Sequence, residues 1–422
     1  MTFKILSVVG DRPNFMKIAA ICDGIKAFNA SHKVREFEHV LVHAGEHDTN
    51  MSDAFFNDLE LPKPDISLGV GSASHSVQTA KIMEQFEVVV TKERPDVVLV
   101  LGDTNSTVAC ALVTAKAHCT SIATGRDFIP KLAHIEAGLR SFDRTMPEEI
   151  NRIVTDSISD YLFTTEESAN QNLVREGVAT KKIFFVGNLM VDTLQRYRSK
   201  ANESSILHDL QLIGGNTVKP YAIVTLHRPS NVDDAAVFSS MLEAFLEISK
   251  IMPIIFPACP RALKRIQEAD LGDFFVDHFI QGPERWDSRV RIRLVPPLGY
   301  LDFLHLMSHT QIVLTDSGGI QEETTILGVP CITLTDNTER RVTLEHGTNV
   351  LAGRNPNNIL TEFTRVCRTN KGPSLQPRNW DGNAASRIVK ILVDDFSLDR
   401  AVSGQLQRLQ SESEEPSQNA GE

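Results

Sequence analysis

The sequence predicts an α/β fold built on parallel sheets. From Lys4 onward, short apolar runs rich in β-branched residues alternate with longer runs in which apolar residues recur at helical spacing. Strands that are apolar throughout are typical of parallel sheets covered by helices on both faces. The alternation pauses in a polar stretch near Ser199–Lys219 and then starts again. Two consecutive arrays, each of about 190 residues, therefore predict two Rossmann-like domains that face one another, spanning 1–190 and 191–379.

The first array opens with the strand Lys4–Val9, which is followed by apolar residues at helical spacing from Phe15 to Ile25. Pro147 suits the first position of a helix, and Glu148 and Glu149 suit the positive end of its dipole. The other strands and helices predicted here are His39–His43, Ser76–Lys92, Val97–Leu101, Thr107–Lys116, Leu132–Ile135, Tyr161–Phe163, Glu167–Arg175 and Ile183–Val186.

The second array repeats the alternation, and each of its strands is followed by a helix-like segment. After it comes one more helical run, Ala384–Val393, and then a polar tail over 404–422 that is predicted to be disordered. The strands predicted in this array are Tyr221–Leu226, Ile254–Phe256, Arg291–Val295, Ile312–Thr315 and Cys331–Leu334.

The composition excludes several classes of protein. The 422 residues include 43 Lys and Arg against 54 Asp and Glu, and the resulting net charge of −11 argues against nucleic acid or an anionic membrane as partner. No apolar run approaches the ~18 residues of a transmembrane helix, and Met1–Lys4 leaves no room for a signal peptide. The six cysteines lack metal-ligand spacing. We therefore expect a soluble cytoplasmic protein with reduced thiols and no metal site.

Polar residues follow several predicted strands of the first array, where ligands of parallel sheets gather. Arg12 and Lys17 come after the first strand, where they either face an anion together or form a solvated surface pair. Asp103 follows the buried run Val97–Leu101, and a helix N-cap is a commoner role there than catalysis. Position alone leaves these alternatives open.

Glu136 also ends an apolar strand, so its carboxylate is expected at the sheet edge beside a partner such as Arg140. That ion pair is either structural or part of a site. Glu148, Glu149 and Arg152 place two carboxylates and a guanidinium at one helix start, an arrangement that is also ordinary on protein surfaces.

The strongest local signal is the Ser317-Gly318-Gly319 turn, which joins a buried strand to a helix. Glycines allow close backbone approach, and free N–H groups at a helix start suit a phosphate. Glu323 lies one turn into this helix, where a carboxylate can accept two hydrogen bonds from a diol such as ribose; a plain tight turn is the alternative. His227 ends the first strand of the second array, either as a donor to a diphosphate or as a strand cap.

Other nucleotide and nucleophile motifs are missing from the sequence. No G-x-G-x-x-G follows the first strand, which disfavours a nicotinamide dehydrogenase. There is no P-loop lysine motif and no G-x-S-x-G nucleophile elbow.

Six motifs, in order, give the chain a resemblance to the non-hydrolysing UDP-N-acetylglucosamine 2-epimerases from about Phe3 to about Val393. The resemblance implies a GT-B fold, in which a final helix at about 380–397 crosses back to the first domain. It also implies a cytoplasmic homodimer of polysaccharide biosynthesis that uses no external cofactor. The motifs are Gly-x-Arg-Pro-x-x-x-Lys at Gly10–Lys17, Gly-Asp-Thr at Gly102–Thr104, His-x-Glu-Ala-Gly-Leu-Arg at His134–Arg140, Pro-Glu-Glu-x-Asn-Arg at Pro147–Arg152, Thr-Asp-Ser-Gly-Gly-Ile-Gln-Glu-Glu at Thr315–Glu323 and Asn-Thr-Glu-Arg at Asn337–Arg340.

The same resemblance implies roles for single residues. Phe303 matches the residue near the uracil, and His227 matches a residue that contacts UDP and is counted with the catalytic group. The other residues matching the UDP-binding set are Arg12, Lys17, Ser317, Gly318, Gly319, Glu323 and Arg340. Those matching the catalytic set are Asp103, Glu136 and Glu148, with Arg152 beside them.

The implied reaction is the reversible conversion of UDP-GlcNAc to UDP-ManNAc. The hydrogen on C2 of the sugar is not acidic until the C1–O bond to UDP breaks, so the mechanism implied is elimination of UDP to 2-acetamidoglucal followed by re-addition. Such chemistry needs cations on the departing diphosphate and carboxylates near both faces of the sugar. The sequence offers both sets.

Departures from the family pattern concern regulation and substrate. Glu46 in the turn Gly45-Glu46-His47 puts in doubt the activator site of bacterial relatives, Cys259 stands in a His-Pro-type segment, and Arg341 replaces the usual Pro.

Four alternative functions remain at this stage. They are a hydrolysing epimerase, a 2-epimerase of a modified UDP-sugar such as a diacetamido-uronate, a GT-B glycosyltransferase and a non-catalytic nucleotide-sugar sensor. The three matched carboxylates argue against the last two.

Overall fold

The computed structural model describes residues 3–10, 12–31, 37–45, 60, 63–121, 125, 127–275, 292–368 and 376–396. The first of its two large sheets is made of seven strands from the N-terminal half: β1 (Phe3–Val9), β2 (Phe37–His43), β3 (Ile66–Ser67), β4 (Val97–Leu101), β5 (Lys131–Ile135), β6 (Tyr161–Thr164) and β7 (Ile183–Phe185). They lie in the order β3-β2-β1-β4-β5-β6-β7, and every neighbouring pair is parallel.

The second large sheet repeats this arrangement in the C-terminal half. Its strands are β8 (Ala222–Thr225), β9 (Ile254–Pro257), β10 (Ile292–Val295), β11 (Ile312–Thr315), β12 (Cys331–Thr333) and β13 (Asn349–Leu351). They are all parallel in the order β10-β9-β8-β11-β12-β13. In both sheets the order in which successive strands are added reverses beside the first strand, and open α/β sheets form ligand crevices at such a point.

Helices follow most of these strands, and none that the described residues form is long and apolar enough to span a bilayer. Short hairpins pair Cys119–Thr120 with Asp127–Phe128 and Ile213–Gly214 with Thr217–Val218, and 3₁₀ turns cover Thr180–Lys182 and Gly272–Phe274. The helices are α1 (Arg12–Ser31), α2 (His75–Glu93), α3 (Asn105–Thr114), α4 (Pro147–Ile158), α5 (Glu167–Arg175), α6 (Leu189–Ala201), α7 (Ile206–Asp209), α8 (Pro229–Val232), α9 (Ala235–Ser249), α10 (Pro260–Glu268), α11 (Tyr300–His309), α12 (Gly318–Leu327), α13 (Arg341–Glu345), α14 (Pro356–Arg368) and α15 (384–396).

Apolar strands build the core of each half. Every residue of β4 is buried because helices cover both faces of the sheet, as the unbroken apolar run predicts. The last helix, α15, lies against the N-terminal half: the Tyr161 hydroxyl donates to the Asp395 carboxylate, and a side chain at Gly24 would touch Val389. The Asp192 carboxylate of α6 accepts from the first backbone N–H groups of α15, which helps to fix where that helix begins.

The predicted α/β class and parallel sheets are confirmed, with differences at the edges. The two-residue strand β3 and the three-residue strand β13 were not predicted, because neither carries an apolar run long enough to stand out. Helix α3 begins and ends two residues before the predicted Thr107–Lys116. Arg291, the predicted tail 404–422 and the residues Glu46 and His47 lie outside the described residues.

Candidate active site

A left-handed turn places Glu136 just past the end of β5. Its φ of 70° is uncommon for a residue with a side chain, and such conformations cost about 1–3 kcal/mol and gather at functional sites. Two residues on, Gly138 has a φ of 80°, and a Cβ there would lie 2.5 Å from the carbonyl oxygen of Ala169. The turn is therefore tightly specified by its surroundings.

Glu136 lies between two cations, one from each half of the chain. Its Oε1 is 2.8 Å from Lys17 Nζ, and its Oε2 is 3.4 Å from Arg340 Nη2. All three side chains are buried. Burial alone would raise the pKa of Glu136, but Lys17 and Arg340 outweigh that effect and lower the pKa to about 2. In the free protein Glu136 is a carboxylate whose basicity is strongly suppressed.

The expected partner of Glu136 was wrong. Arg140 pairs instead with Asp156 at 2.7 Å and with Glu176 at 2.6 Å. Asp156 also accepts from the backbone N–H of Gly138 and lies 2.6 Å from His134 Nδ1, so this buried network supports the turn from behind. Arg140 is thus structural, whereas the charges that face Glu136 come from α1 and from the loop before α13.

Arg340 joins Glu136 to a second buried carboxylate. Its Nε lies 2.6 Å from Glu322 Oε1 on α12, and the Glu322 side chain is 1% exposed. Burial raises the pKa of Glu322 to about 7, since Arg340 offsets only part of the cost and the nearby Glu136 adds to it. Burial would lower the pKa of Arg340, but Glu322, Glu136 and Glu339 raise it, so the guanidinium stays charged.

Asp103 lies next to this cluster and is not a helix cap. Thr104 occupies the N-cap position of α3, while the Asp103 carboxylate pairs with the Arg152 guanidinium of α4. Asn151 Nδ2 donates to the Asp103 carbonyl oxygen at 2.9 Å. A Cβ added at the preceding Gly102 would lie 3.7 Å from Lys17 Nζ, so the turn that carries Asp103 borders the Lys17–Glu136 pair.

The two glutamates at the start of α4 have different environments. Glu148 is exposed in the first turn. Glu149 is buried, and its carboxylate accepts from the backbone N–H groups of Ser141 and Phe142 and from the Ser141 hydroxyl. Glu149 therefore holds a loop, and Glu148 is the one whose side chain is accessible.

The Ser-Gly-Gly turn of the C-terminal half borders Arg340 of the same half. Ser317 is the N-cap residue of α12, and Gly318 and Gly319 form its first turn. A Cβ on Gly318 would lie 3.2 Å from Glu339 Oε1 and 3.6 Å from Arg340 Nε, whereas the nearest atom to one on Gly319 would be 3.9 Å away. The backbone of this helix start is therefore close to the charged cluster.

His227 is oriented by a carboxylate that the sequence analysis did not single out. Asp316 is completely buried, and its Oδ1 lies 3.0 Å from His227 Nδ1. The same carboxylate accepts from the backbone N–H groups of His227 and Arg228 and from Asn231 Nδ2. With Nδ1 held in this way, the other ring nitrogen of the half-exposed His227 faces away from the core.

Glu323 and Phe303 lie on the two helices next to this turn. Glu323 is buried on α12 and accepts from the Tyr300 hydroxyl at 3.0 Å. Burial and the nearby Glu323 carboxylate raise the pKa of Tyr300 well above its usual value, so the phenol remains a donor. Phe303 is half-buried on α11 and packs against the core.

The described contacts bring six of the predicted residues together at the carboxyl ends of the two sheets, namely Lys17, Asp103, Glu136, Arg152, Gly318 and Arg340. Arg12 begins α1, but its side chain lies outside the described part of the structure. Sequence reasoning missed Asp316, Glu322, Tyr300 and Glu339. The pKa of Glu339, which burial would raise, is lowered by Arg340, Arg152 and Arg228. Three of these four lie inside the motifs named above, next to residues that were predicted to belong to the site.

Among the residues that the structure describes, no group of His, Cys, Asp and Glu side chains could hold a metal ion.

The arrangement combines cations with carboxylates in one buried cluster. Lys17, Arg340 and the helix start at Ser317 can hold an anion such as a diphosphate. Glu136 and Asp103 can exchange a proton with a group beside that anion. Cations that stabilise a departing anion next to a base are what an elimination requires.

Comparison with known proteins identifies close relatives over nearly the whole chain. A family model described as UDP-N-acetylglucosamine 2-epimerase matches residues 29–393. A UDP-N-acetylglucosamine 2-epimerase of Methanocaldococcus jannaschii is 39% identical over 92% of this chain and 98% of its own length. A UDP-2,3-diacetamido-2,3-dideoxy-D-glucuronate 2-epimerase of Pseudomonas aeruginosa is 36% identical over 92% of this chain and 99% of its own.

A solved structure supports the same conclusion. The crystal structure of the Methanocaldococcus jannaschii UDP-GlcNAc 2-epimerase in complex with UDP-GlcNAc and UDP matches with a TM-score of 0.77 at 37% identity. The match covers 93% of this chain and 99% of that one. This likeness confirms the predicted GT-B-like class of the fold.

Proposed function

Because the chain belongs to the UDP-N-acetylglucosamine 2-epimerase family, we propose that it interconverts UDP-GlcNAc and UDP-ManNAc by inverting C2 of the sugar. The observation that carries the proposal is the position of Glu136, a buried carboxylate held between Lys17 and Arg340. A base and two cations at one point suit a reaction in which a proton and an anion leave neighbouring carbons.

The reaction proceeds by elimination and re-addition. The C1–O bond breaks and its electron pair leaves with UDP, while the C2–H bond breaks and its pair forms the C1=C2 double bond of 2-acetamidoglucal. The proton passes to a carboxylate, for which we assign Glu136. In the second half-reaction a proton is delivered to the opposite face of C2, and the diphosphate oxygen adds again to C1. Atoms and electrons balance without an external cofactor.

Lys17 and Arg340 link the two bond cleavages. In the free protein they neutralise Glu136 and hold its pKa at about 2, which makes it a poor base. A diphosphate attracts the same cations, and its negative charge grows as the C1–O bond breaks. Each shift of Lys17 or Arg340 toward UDP makes Glu136 more basic, so departure of UDP and removal of the C2 proton assist each other.

The remaining carboxylates and His227 are assigned to the other steps. Asp103, held by Arg152, and the accessible Glu148 are the candidates for protonating C2 from the second face. His227, with Nδ1 on Asp316, donates from its other ring nitrogen to the departing diphosphate.

The C-terminal half holds the nucleotide. The backbone N–H groups of Gly318 and Gly319, together with the Ser317 hydroxyl, bind the diphosphate at the start of α12, while the Ser317 N–H donates to Thr315 Oγ1. Glu323 accepts from the ribose hydroxyls while Tyr300 fixes its orientation, and Phe303 lies near the uracil. The family motif at Gly10–Lys17 assigns Arg12, with Lys17, to UDP binding. We further propose that the chain is divided into domains at about residue 190 and works as a cytoplasmic homodimer. Light scattering on the purified protein tests the oligomeric state.

A second candidate substrate is a diacetamido-glucuronate nucleotide, because the Pseudomonas relative is 36% identical over nearly the full length. The purified enzyme is incubated with UDP-GlcNAc or with UDP-2,3-diacetamido-glucuronate, and the nucleotide sugars are separated by anion-exchange chromatography. Accumulation of UDP-ManNAc, with no free ManNAc, supports the proposal. If only the uronate nucleotide is turned over, the substrate is the modified sugar rather than UDP-GlcNAc. Release of free ManNAc would indicate a hydrolysing enzyme.

A further inference from the structure

Glu322 is a buried carboxylate that the proposed mechanism does not use. It lies on α12 with its side chain 1% exposed, and its Oε1 is 2.6 Å from Arg340 Nε. Arg340 extends from Glu322 to Glu136, whose other oxygen is 2.8 Å from Lys17 Nζ. Lys17, Glu136, Arg340 and Glu322 therefore form a line of alternating charge, with two members from each half of the chain.

Charge rather than directional hydrogen bonding holds the Glu322 end of this line. Within the described part of the chain, Nε and Nη1 of Arg340 have no hydrogen bond of good geometry, and the Glu322 carboxylate has Arg340 at 2.6 Å with the side-chain amide of Asn188 beside it. One guanidinium is thus shared by two carboxylates, with its Nε 2.6 Å from Glu322 and its Nη2 3.4 Å from Glu136. The strength of the interaction between Arg340 and either carboxylate then depends on whether the other carboxylate is charged.

We propose that Glu322 is a positioning residue for the epimerisation, which draws the Arg340 guanidinium away from Glu136 and so leaves Glu136 basic enough to accept the C2 proton. This inference rests on the proposed function of the chain, and it adds a residue that does not touch the substrate. If Glu322 acts in this way, kcat/KM depends on whether Glu322 is ionised in the free enzyme.

Ionisation of Glu322 falls within an accessible pH range. Burial raises its pKa to about 7, and the charged groups that face it are Arg340, which lowers the pKa, Glu136, which raises it, and Lys17, which lowers it. The side-chain amide of Asn188, at the start of α6, lies beside it. Below pH 7 protonated Glu322 releases Arg340 to Glu136; above pH 7 the ionised carboxylate competes for it.

The test is the pH dependence of kcat/KM, which reports ionisations of the free enzyme. Wild type, Glu322→Gln and Glu166→Gln are assayed with UDP-GlcNAc from pH 5.5 to 9. Glu166 is the matched control, since it is a second buried carboxylate whose pKa burial raises to about 7. The charge of Arg340 lowers that pKa only in part, and the Glu166 carboxylate accepts from the Ser168 hydroxyl, whereas Glu322 lies 2.6 Å from Arg340. Wild-type kcat/KM should rise with pH through about 7. Glu322→Gln should lose that rise and be about tenfold slower at pH 8, within the range of measured couplings between contacting residues.

Each outcome decides the matter. Loss of the rise in Glu322→Gln and its retention in Glu166→Gln support the inference. A Glu322→Gln enzyme that melts at lower temperature but keeps the wild-type kcat/KM profile would overturn it and leave Glu322 structural. A rise that disappears in Glu166→Gln instead overturns it as well. If Glu322→Gln does not fold, Glu322→Asp retains the charge at a greater distance from Arg340, and unchanged kcat/KM at pH 8 in that variant overturns the inference. A wild-type enzyme that binds UDP but turns over no UDP-sugar overturns the proposed function and the inference with it.

Discussion

Replacing Glu136 by glutamine separates its structural contribution from its catalytic one. The side chain is 4% exposed and lies 2.8 Å from Lys17 and 3.4 Å from Arg340. Lowering its pKa from 4.5 to about 2 corresponds to ~3 kcal/mol of stability at neutral pH. Because the pKa is lowered, this contribution is present above pH 4.5 and is lost as the pH falls toward 2. The free energy of unfolding of Glu136→Gln, measured in urea at pH 7.5, should therefore be ~3 kcal/mol lower than that of wild type. This difference should narrow only below about pH 4.5.

The catalytic contribution appears in turnover. Glutamine keeps the size of Glu136 and removes the basic oxygen, so kcat should fall by about 10²–10⁴, the usual cost of losing a general acid or base. UDP binding should be retained or become tighter, because Lys17 and Arg340 remain and their positive charge is no longer offset by the Glu136 carboxylate. Conversion of UDP-GlcNAc is followed by chromatography, and UDP affinity by calorimetry.

Glu166→Gln is the control for this experiment, since it removes a different buried carboxylate and leaves the Lys17–Glu136 pair intact. Its turnover at pH 7 should stay within about threefold of wild type, the scale of a substitution that touches no reacting group. A Glu136→Gln enzyme that loses stability but keeps turnover within about tenfold of wild type would refute the catalytic assignment of Glu136.

Three further outcomes follow from the same contacts. Asp316→Asn should lower both kcat and the free energy of unfolding, the latter by about 1–3 kcal/mol, because the amide cannot accept all the bonds that orient His227; wild-type kcat in this variant would contradict that role. Glu323→Gln should weaken UDP binding by about tenfold in calorimetry, and Tyr300→Phe should weaken it less, because it removes only the donor that orients Glu323; equal affinities in all three proteins would exclude Glu323 from the ribose site. Burial raises the pKa of Glu166 to about 7, so its ionisation costs stability as the pH rises from about 4.5 to about 7; Glu166→Gln should therefore melt at a higher temperature than wild type at pH 8, with little difference at pH 4.5, and a pH-independent difference would count against this explanation.

Apolar patterning was enough to predict most of the fold. The buried run Val97–Leu101 is a strand with the predicted bounds, because five consecutive apolar residues between helices suit the interior of a parallel sheet. The strand Asn349–Leu351 was missed, since it is three residues long and its pairing with Cys331–Thr333 supplies what its own sequence does not indicate.

Sequence position located the site but not its contacts. Glu136 was placed correctly at a strand end, yet its partner was sought four residues away at Arg140. The left-handed turn at Glu136 directs the carboxylate toward Lys17 and toward Arg340, which is 204 positions further along the chain. No local pattern specifies a contact across that separation. Glu322 was passed over for the same reason, because only its burial against Arg340 distinguishes it from its neighbour.

Running the reaction in D₂O shows whether the hydrogen on C2 leaves the sugar during epimerisation. UDP-GlcNAc is incubated with the enzyme, and the C2 position of both nucleotide sugars is followed by proton NMR. Elimination and re-addition pass through an intermediate that has lost the C2 hydrogen, so the UDP-ManNAc formed should carry deuterium at C2, and the remaining UDP-GlcNAc should acquire it as the reaction reverses. UDP-ManNAc that forms with its original hydrogen still at C2 would contradict the mechanism.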